Sequence, residues 1–460
     1  MPGLRDFATF GAFLVPFLAY KLGDLELPYF WDEVGVYARA ALYLHDHTVG
    51  LLPGHLPPEL SRGHPLLLAF VVAWAFRIFG ATPRVAHLVM LTLSTALLGS
   101  VYWMALWRWG RRVGLVSMLL LMVQPLFLAQ STLVLPEISL ALCCLWVLHE
   151  LSRRRYGRAA VFLALALFVK ETAIVLDVVF AGVLVSRWGR ERPSVRTAFG
   201  QSWPMLVANA ACAAFFVTQR LQNGWFLFPV HVGYVDFGWA AVRHGLWVGA
   251  CFVFVEQGRV VLSALVAVWM VARAVRGRGA CSSFGAAMGL FVVAMLLFSA
   301  GNVLMKRYLM CLLPPLAIVG GRAAVELTGE RKMKLVLATA VVCLVSLSQV
   351  ASPRFNCEYD MGFREAVRIQ REATDYVVEN LGTGRSIVAN FPTYAGLEDP
   401  RFGYAPHRFE HFMAEYSPEA EYIFASEIFA RFEVPAGVET TLVKRFASPY
   451  MNIALYRIVR

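Results

Sequence analysis

Residues 86–107 read AHLVMLTLSTALLGSVYWMALW, residues 108–112 read RWGRR, and residues 113–130 read VGLVSMLLLMVQPLFLAQ. Two apolar segments, each near the ~20 residues that a helix needs to cross a bilayer, thus flank a short basic loop. Helices are the default here because open sheets leave backbone groups unpaired in lipid. The pattern recurs in nine more apolar runs, at 7–21, 137–151, 158–169, 173–187, 200–219, 246–275, 284–300, 308–326 and 334–350.

The composition agrees with a membrane protein. Of the 460 residues, 58% are hydrophobic and only 16% are charged, with a mean hydropathy of +0.58. So few polar side chains cannot cover a soluble globule of this length, which excludes a multidomain soluble protein, and the composition is equally unlike a disordered or fibrous chain. The sequence predicts a polytopic α-helical membrane protein with about 11 transmembrane helices, and short or broken helices around 158–187.

The net charge of +11 is unevenly distributed. Residues 1–350 hold 30 Lys/Arg against 16 Asp/Glu, whereas residues 351–460 hold 12 against 15. The basic excess falls in short loops between apolar runs, as the positive-inside rule predicts for cytoplasmic loops. No basic face or stripe exists apart from these loops, which argues against nucleic acid as a partner.

A topology follows if the basic loops and the N-terminus lie inside. The loops are 108–112, 153–158, 187–196, 273–278 and 331–334. The first outer loop is then 22–85, and everything after 350 is outside. Residues 65–79 are apolar enough for a helix, but a full crossing there would invert every later loop, so we interpret them as a juxtamembrane or re-entrant helix. The alternative is that RWGRR lies outside.

The last 110 residues have a different character. A helical pattern at 363–381 is followed by strand-like runs at 386–390, 421–425, 440–446 and 452–459. We therefore predict a transmembrane domain over 1–350 and a small C-terminal α/β domain outside the membrane over 351–460.

Under this topology the rare ionisable residues at the ends of apolar runs collect on the outer side. Charges at membrane depth are costly and are usually paired or functional. The residues are Asp32, Glu33, His64, Glu137, Lys170, Glu171, Lys306 and Arg307.

Each of these residues also has a structural interpretation. Asp32 precedes an amphipathic helix predicted at 33–47, able to lie on the membrane, so it can cap that helix, catalyse a reaction, or do both. His64 is either a neutral core histidine or a phosphate contact, and Glu137 either compensates a helix dipole or lines a site. Lys170 and Glu171 form either a local pair or an anion site. The outer-side Lys306-Arg307 pair is unexplained by topology and favours anion binding, to which arginine is well suited.

Five segments, in this order, resemble the membrane glycosyltransferases of the GT-C type. The branch they resemble contains the lipid A aminoarabinose transferases and the protein O-mannosyltransferases. The segments are WDEVGVYARAALYL (31–44), RGHPLLLAFVVAWAFRIFG (62–80), STLVLPEISLALCCLWVL (131–148), LFVKETAIVL (167–176) and MKRYLMCLLPPL (305–316).

The resemblance implies roles for particular residues. Asp32 would be the catalytic base, and the donor phosphate would be held by Lys170, Lys306 and Arg307. One departure is that Gly63-His64 stand before Pro65 where the aminoarabinose branch has Glu-Lys, so His64 would take over the lysine's phosphate contact. The candidate cavity or acceptor residues are Glu33, Tyr37, Glu59, Glu137 and Glu171. The sequence identifies no cofactor with certainty; a divalent metal stays open, but no motif indicates one.

The implied function is transfer of a sugar from a polyprenyl-phosphate donor to a hydroxyl of a lipid, glycan or protein acceptor. The reaction would occur on the outer face of the membrane and, with one base opposite the departing phosphate, would invert the sugar carbon. Residue usage suggests a bacterial inner membrane with the site facing the periplasm. The alternatives are a transporter or flippase of a polyprenyl-linked substrate, and a nonenzymatic assembly or receptor subunit. Neither the sugar nor the acceptor is encoded in a motif.

Overall fold

The structure is a computed structural model. It describes residues 3–277, 283–302, 305–352, 358–409, 411–428, 432, 434, 436–448 and 451–459. The last residue of the basic loop 273–278 lies outside this described part.

Helices form most of the described chain. Those of the first 360 residues are α1 Leu4–Lys21, α2 Ala38–Asp46, α3 Pro58–Ser61, α4 Leu67–Phe79, α5 Pro83–Trp109, α6 Arg111–Met122, α7 Pro125–Gln130, α8 Pro136–Ser152, α9 Tyr156–Val169, α10 Val175–Glu191, α11 Val195–Asn223, α12 Pro229–Val232, α13 Trp239–Phe254, α14 Arg259–Val275, α15 Ser283–Ala300, α16 Leu313–Thr328 and α17 Lys332–Ala351. Two helices of the C-terminal part follow, α18 Phe363–Asn380 and α19 Thr393–Leu397. Short 3-10 helices precede α10 and α16, at Glu171–Ile174 and Lys306–Leu312.

The apolar runs coincide with helices, with two exceptions. The run 113–130 divides into α6 and α7 at Pro125, because proline cannot donate the backbone hydrogen bond of a helix interior. The run 246–275, expected as one span, lies across two helices, α13 and α14, that meet at 88°.

Five helices of the described residues are long and apolar enough to cross a membrane, or six if α13 and α14 count as one broken span. The expected number of about 11 crossings therefore stays a prediction. Helix α4 has 13 residues, fewer than the ~20 of a straight crossing. This length agrees with the juxtamembrane or re-entrant interpretation of 65–79.

The break between α13 and α14 has a specific structural cause. Gly258 has a φ of +81°, a conformation that side chains strain, and a Cβ there would lie 3.0 Å from the Val345 carbonyl oxygen. Arg259 is fully buried, and its Nε donates to the carbonyls of Phe252 and Val253 at 2.9 and 3.0 Å. The guanidinium thereby satisfies carbonyls that the end of α13 would leave unpaired.

Residues 22–85, the predicted first outer loop, fold against the rest of the protein. Residues Glu33–Tyr37 form one π-helical turn that continues into α2. The predicted helix over 33–47 is thus confirmed in position, but the apolar residues Val34, Ala38 and Ala41 are buried in the core of the protein and α2 packs on α4. This apolar face is therefore covered by protein and not left to the lipid.

The C-terminal part contains α18, at the predicted position, and a five-stranded sheet. Its strands are β1 Ser386–Ala389, β2 His411–Met413, β3 Tyr422–Ser426, β4 Thr440–Ala447 and β5 Asn452–Ile458, in the order β2-β1-β3-β5-β4. β1 is parallel to β2 and β3, and β5 is antiparallel to β3 and β4. The four predicted strands are confirmed; β2 was missed because three residues carry no readable alternation.

The C-terminal part is attached to the first outer loop by polar contacts. The Tyr29 backbone N–H donates to the Phe402 carbonyl at 3.0 Å, and Arg364 pairs with Asp24 at 2.6 Å. Further ion pairs join Arg39 to Glu398 and Arg401 to Asp46. These contacts join residues 22–85 to the C-terminal part.

We predict that Arg259→Leu destabilises the protein, because it removes the donors of two buried carbonyls at about 1–3 kcal/mol each. The expected loss in the free energy of unfolding is about 2 kcal/mol or more, measured by thermal unfolding in detergent. Arg276→Leu, at an exposed position just after α14, is the matched control and should unfold like the parent. Equal stability of both variants would contradict the assigned role of Arg259.

Candidate functional site

Arg307 lies at the centre of a buried ionic cluster. It is 2% exposed and belongs to the 3-10 helix Lys306–Leu312 that leads into α16. Its guanidinium contacts the carboxylates of Asp32 and Glu358, and its Nε lies 3.5 Å from Glu137 Oε1. Three carboxylates from distant parts of the chain thus surround one arginine.

Lys170 is the second cation of this cluster. It follows the last residue of α9, is 2% exposed, and its Nζ donates to Glu137 Oε1 at 2.9 Å. The same Nζ lies 3.5 Å from the centroid of the Tyr308 ring, so the ammonium also has a cation–π contact. Lys170 and Arg307 therefore approach one carboxylate, that of Glu137, from two elements.

Asp32 is positioned by its backbone. Its N–H donates to Glu358 Oε1 at 3.0 Å, and its side chain accepts from Arg307. The Asp32 side chain makes no capping hydrogen bond to the following helical turn, so the N-cap interpretation is wrong. Burial raises the pKa of Asp32, but the Arg307 guanidinium, together with Arg62 and Lys170, more than offsets this and holds the pKa below its ordinary value.

Glu137 occupies the first turn of α8, directly after Pro136. Proline is well suited to a first helical position, and a carboxylate there interacts favourably with the helix dipole. The position of Glu137 thus agrees with the dipole interpretation, and its role in a functional site stays a prediction. Its side chain is 1% exposed and faces Lys170 and Arg307.

The cluster can bind an anion only by rearranging. Its three carboxylates outnumber its two cations, Lys170 and Arg307. A buried ion needs a partner of opposite charge, and here the carboxylates provide it. A phosphate that binds these cations would have to replace carboxylate contacts. Such a group would suit the arginine, whose fork binds phosphate through two parallel hydrogen bonds.

His64 and Glu171 form a second, neighbouring pair. His64 Nδ1 lies 3.0 Å from a Glu171 carboxylate oxygen, and Glu171 directly follows Lys170 in the chain. The Tyr37 ring stacks on His64 with 6.0 Å between centroids, and the His231 ring lies 4.9 Å from it. Burial raises the pKa of the Tyr37 phenol well above its ordinary value, so the hydroxyl stays protonated.

Three predicted site residues lie elsewhere. Lys306 pairs with Glu256 at 2.6 Å and makes none of the cluster's ion pairs in the described part of the chain. Glu33 is fully buried and accepts from the Phe30 and Val134 N–H groups at 2.8 and 2.7 Å. Glu59 is exposed on α3.

Sequence reasoning missed Glu358 and the ring of Tyr308. Glu358 follows the last apolar run closely, on the side of the membrane where the predicted topology places the other candidates. That position was an available signal. Its backbone carbonyl also accepts from Gln130 Nε2 at 2.6 Å, which ties this segment to the end of α7.

Within the described ranges, His, Cys, Asp and Glu side chains form no group of three or more that could hold a metal ion.

Comparison with known proteins identifies the fold. Residues 63–219 match the family described as dolichyl-phosphate-mannose-protein mannosyltransferase. Two crystal structures of ArnT from Cupriavidus metallidurans, one bound to undecaprenyl phosphate and one in the apo state, each superpose with a TM-score of 0.60. They share 14% and 13% identity with this chain, and each match covers 97% of this chain and 98% of the other.

An oligosaccharyltransferase from Archaeoglobus fulgidus also matches, with a TM-score of 0.45, 14% identity, and coverage of 86% of this chain and 59% of that one. No curated protein sequence matches significantly. The ArnT matches extend over nearly the whole chain, so the predicted GT-C fold with a small C-terminal sheet is confirmed.

The buried contacts of Glu33 predict a structural role. We expect Glu33→Leu to lower the free energy of unfolding by about 2 kcal/mol or more, because two backbone N–H groups and His87, 3.1 Å from the carboxylate, lose their acceptor. Glu59→Leu, at an exposed position of the same loop, is the control and should change stability by less than about 0.5 kcal/mol. Thermal unfolding in detergent measures both, and a Glu33→Leu variant as stable as the control would contradict this role.

Proposed function

We propose that this chain, which has the fold of the GT-C membrane glycosyltransferases, transfers a sugar from a polyprenyl-phosphate donor to an acceptor hydroxyl. The observation that carries the proposal is the meeting of Asp32, Arg307 and Lys170 in one buried cluster. The partial match to a family named for a dolichyl-phosphate sugar donor, and the undecaprenyl phosphate bound by ArnT, support the choice of donor.

Arg307 and Lys170 would hold the donor phosphate. When the bond between the sugar and the phosphate breaks, negative charge grows on the phosphate oxygens. Cations already fixed in a water-poor site stabilise that charge better than water does. His64, which pairs with Glu171, would add a further phosphate contact. Glu137 would hold the two cations in position.

Asp32 would act as the base. It would accept the proton of the acceptor hydroxyl as that oxygen attacks the sugar carbon, while the phosphate departs on the opposite side with the bonding electrons. One displacement with one base inverts the configuration at the sugar carbon. Tyr37, whose phenol stays protonated, would donate a hydrogen bond to a substrate oxygen nearby.

Donor binding and base strength would be coupled. In the free protein Arg307 pairs with Asp32, which makes the carboxylate a weak base. A phosphate that takes over the arginine would release Asp32 and raise its proton affinity. The base would therefore become effective when the donor is in place.

The chain is an integral membrane protein, and we place it in the inner membrane of a bacterium, with the cluster facing the periplasm. We propose the division into a transmembrane catalytic domain, residues 1–350, and a periplasmic domain, residues 351–460. The acceptor would be a lipid, a glycan or a protein with a free hydroxyl.

The central test is Asp32→Asn. We expect it to lower the rate of sugar transfer by about 10²–10⁴-fold, the usual contribution of a general base, with unfolding temperature unchanged within a few degrees. Asp46→Asn makes the same change at the other end of this helical segment, where Asp46 pairs with Arg401 at the surface, and should keep activity.

Two results would contradict the proposal. Full transfer activity of Asp32→Asn would exclude the base assignment. Movement of a polyprenyl-linked substrate across vesicle membranes by the wild-type protein, without transfer to any acceptor, would favour a transporter.

A pH profile tests the pairing of Asp32 with Arg307. Asp32 works as a base only when ionised, so activity is lost as the pH falls through its pKa. Because Arg307 lowers this pKa, the acid limb of kcat/KM should lie below the ordinary value of about 4. Arg307→Gln removes the largest of the charges that oppose burial, so the pKa of Asp32 should rise and the limb should move to higher pH. Arg401→Gln is the control, and an unmoved limb in Arg307→Gln would contradict the pairing.

A further inference from the structure

Arg187 is a buried arginine at the end of α9 and α10 that lies away from the Arg307 cluster. It is near the end of α10 and is 6% exposed. Its Nη1 donates to the hydroxyl of Tyr156, the first residue of α9, at 2.9 Å. Lys170 follows the other end of α9, and the 14 residues of that helix separate it from Tyr156 by about 20 Å. The Arg187–Tyr156 pair is therefore distinct from the proposed site of sugar transfer.

The charge of Arg187 has no carboxylate partner among the described residues. Its one hydrogen bond goes to the neutral oxygen of Tyr156. Glu150, the acidic residue before the loop 153–158, lies 3.8 Å from Arg155 instead. A guanidinium withdrawn from water without a counter-charge is unfavourable, so this position calls for an anion from outside the chain.

The guanidinium of Arg187 keeps one edge open. Nη1 is used by Tyr156, but Nε and Nη2 make no hydrogen bond within the described part of the chain, and neither atom is completely enclosed by protein. These two nitrogens are a parallel pair of N–H donors, with which arginine binds two oxygens of one phosphate. The Tyr156 hydroxyl accepts from Arg187, so its own proton can be donated to the same ligand.

The surroundings of this edge attract anions. The two basic loops 153–158 and 187–196 hold eight arginines and one acidic residue, Glu191, which Arg154 binds at 2.6 Å. Every residue of both loops is described; seven of the arginines are exposed, and Arg187 is buried. The exposed arginines provide a general positive field, whereas Arg187 provides donors at a fixed position.

The position of Arg187 favours a lipid as the source of the anion. Residues Glu171–Glu191 form one of the apolar helical segments long enough to cross a membrane, and Arg187 lies four residues before the end of this segment. Val161 of α9 and Val185 of α10 are about 60% exposed, so both helices offer apolar surface to acyl chains. Basic pockets between transmembrane helices on the cytoplasmic side bind lipid head groups, and the predicted topology places both basic loops on that side.

We infer that the open edge of Arg187 and the hydroxyl of Tyr156 bind a phosphate group, and that an anionic phospholipid of the surrounding leaflet supplies it. The bound head group would provide the missing counter-charge, while its acyl chains lie along α9 and α10. Free inorganic phosphate has the same chemistry, and the experiment distinguishes the two sources. The inference does not depend on sugar transfer, because the donor phosphate is proposed at Arg307 and Lys170.

The test measures lipid binding to the purified, delipidated full-length protein in an uncharged detergent by native mass spectrometry. The probes are phosphatidylglycerol, which is anionic, and phosphatidylcholine, which has the same phosphate but no net charge; inorganic phosphate is added in excess as a competitor. The variants are Arg187→Gln, Arg187→Lys and Tyr156→Phe. Arg190→Gln is the matched control, because it removes the same charge from the same loop at an exposed position.

We expect phosphatidylglycerol to bind the wild-type protein about tenfold or more tightly than phosphatidylcholine, and to stay bound in excess phosphate. Arg187→Gln should weaken its binding about tenfold or more, because two charge-assisted hydrogen bonds are lost. Arg187→Lys should restore only part of the affinity, since an ammonium keeps the charge but not the fork. Tyr156→Phe should weaken binding about threefold, and Arg190→Gln should stay within about twofold of the wild type.

Thermal unfolding provides a second measurement that also shows whether each variant is folded. Without lipid, Arg187→Gln should unfold at or above the temperature of the wild type, because an uncompensated charge is removed. Phosphatidylglycerol should raise the unfolding temperature of the wild type and of Arg190→Gln, and should not raise that of Arg187→Gln.

Three results would overturn the inference. The first is that phosphatidylglycerol binds no more tightly than phosphatidylcholine. The second is that Arg187→Gln keeps the preference for phosphatidylglycerol, or that Arg190→Gln loses it equally, since either result would mean a general attraction of the loops. The third is that inorganic phosphate displaces the lipid from wild-type protein, which would assign the site to a free anion.

Discussion

The buried guanidinium of Arg307 is the group on which the rest of the site depends. A charge removed from water must be compensated, and its partners come from three separate parts of the chain: the segment 22–85, the start of α8, and the segment after α17. Each of Asp32, Glu137 and Glu358 is thereby fixed relative to the others. The requirement to neutralise one arginine assembles the proposed base, the proposed phosphate site and the beginning of the C-terminal part.

The same requirement explains why the C-terminal part packs so closely on the first outer loop. Glu358 accepts the Asp32 N–H as well as pairing with Arg307, so Asp32, the proposed base, is held by the C-terminal part. Glu33, the next residue, holds the loop against α5, because its carboxylate lies 3.1 Å from the ring of His87 in that helix. The loop is therefore held by contacts with two different parts of the protein. A general base needs such a fixed position, because it must lie within hydrogen-bond reach of the substrate.

Much of this arrangement could be predicted from the sequence. Apolar runs locate the helices because lipid-facing segments cannot contain many charges, and the few charges left at their outer ends include Asp32, Glu137, Lys170 and Arg307. The sequence alone does not show the direction in which neighbouring side chains point. Lys306 and Arg307 are adjacent, yet Lys306 pairs with Glu256 and Arg307 pairs with Asp32 in the cluster.

The sequence also does not show that the side chains of Asp32 and Glu33 point to different partners. Nor does it show the bend at Gly258, whose cause is a contact with distant residues of α17.

The most direct test of the proposed site is a cryo-EM structure of the full-length protein with undecaprenyl phosphate. We predict that the phosphate lies within hydrogen-bond distance of Arg307 and Lys170, with the contact between Asp32 and Arg307 lost. A phosphate bound away from both cations, with the Asp32–Arg307 pair intact, would contradict it.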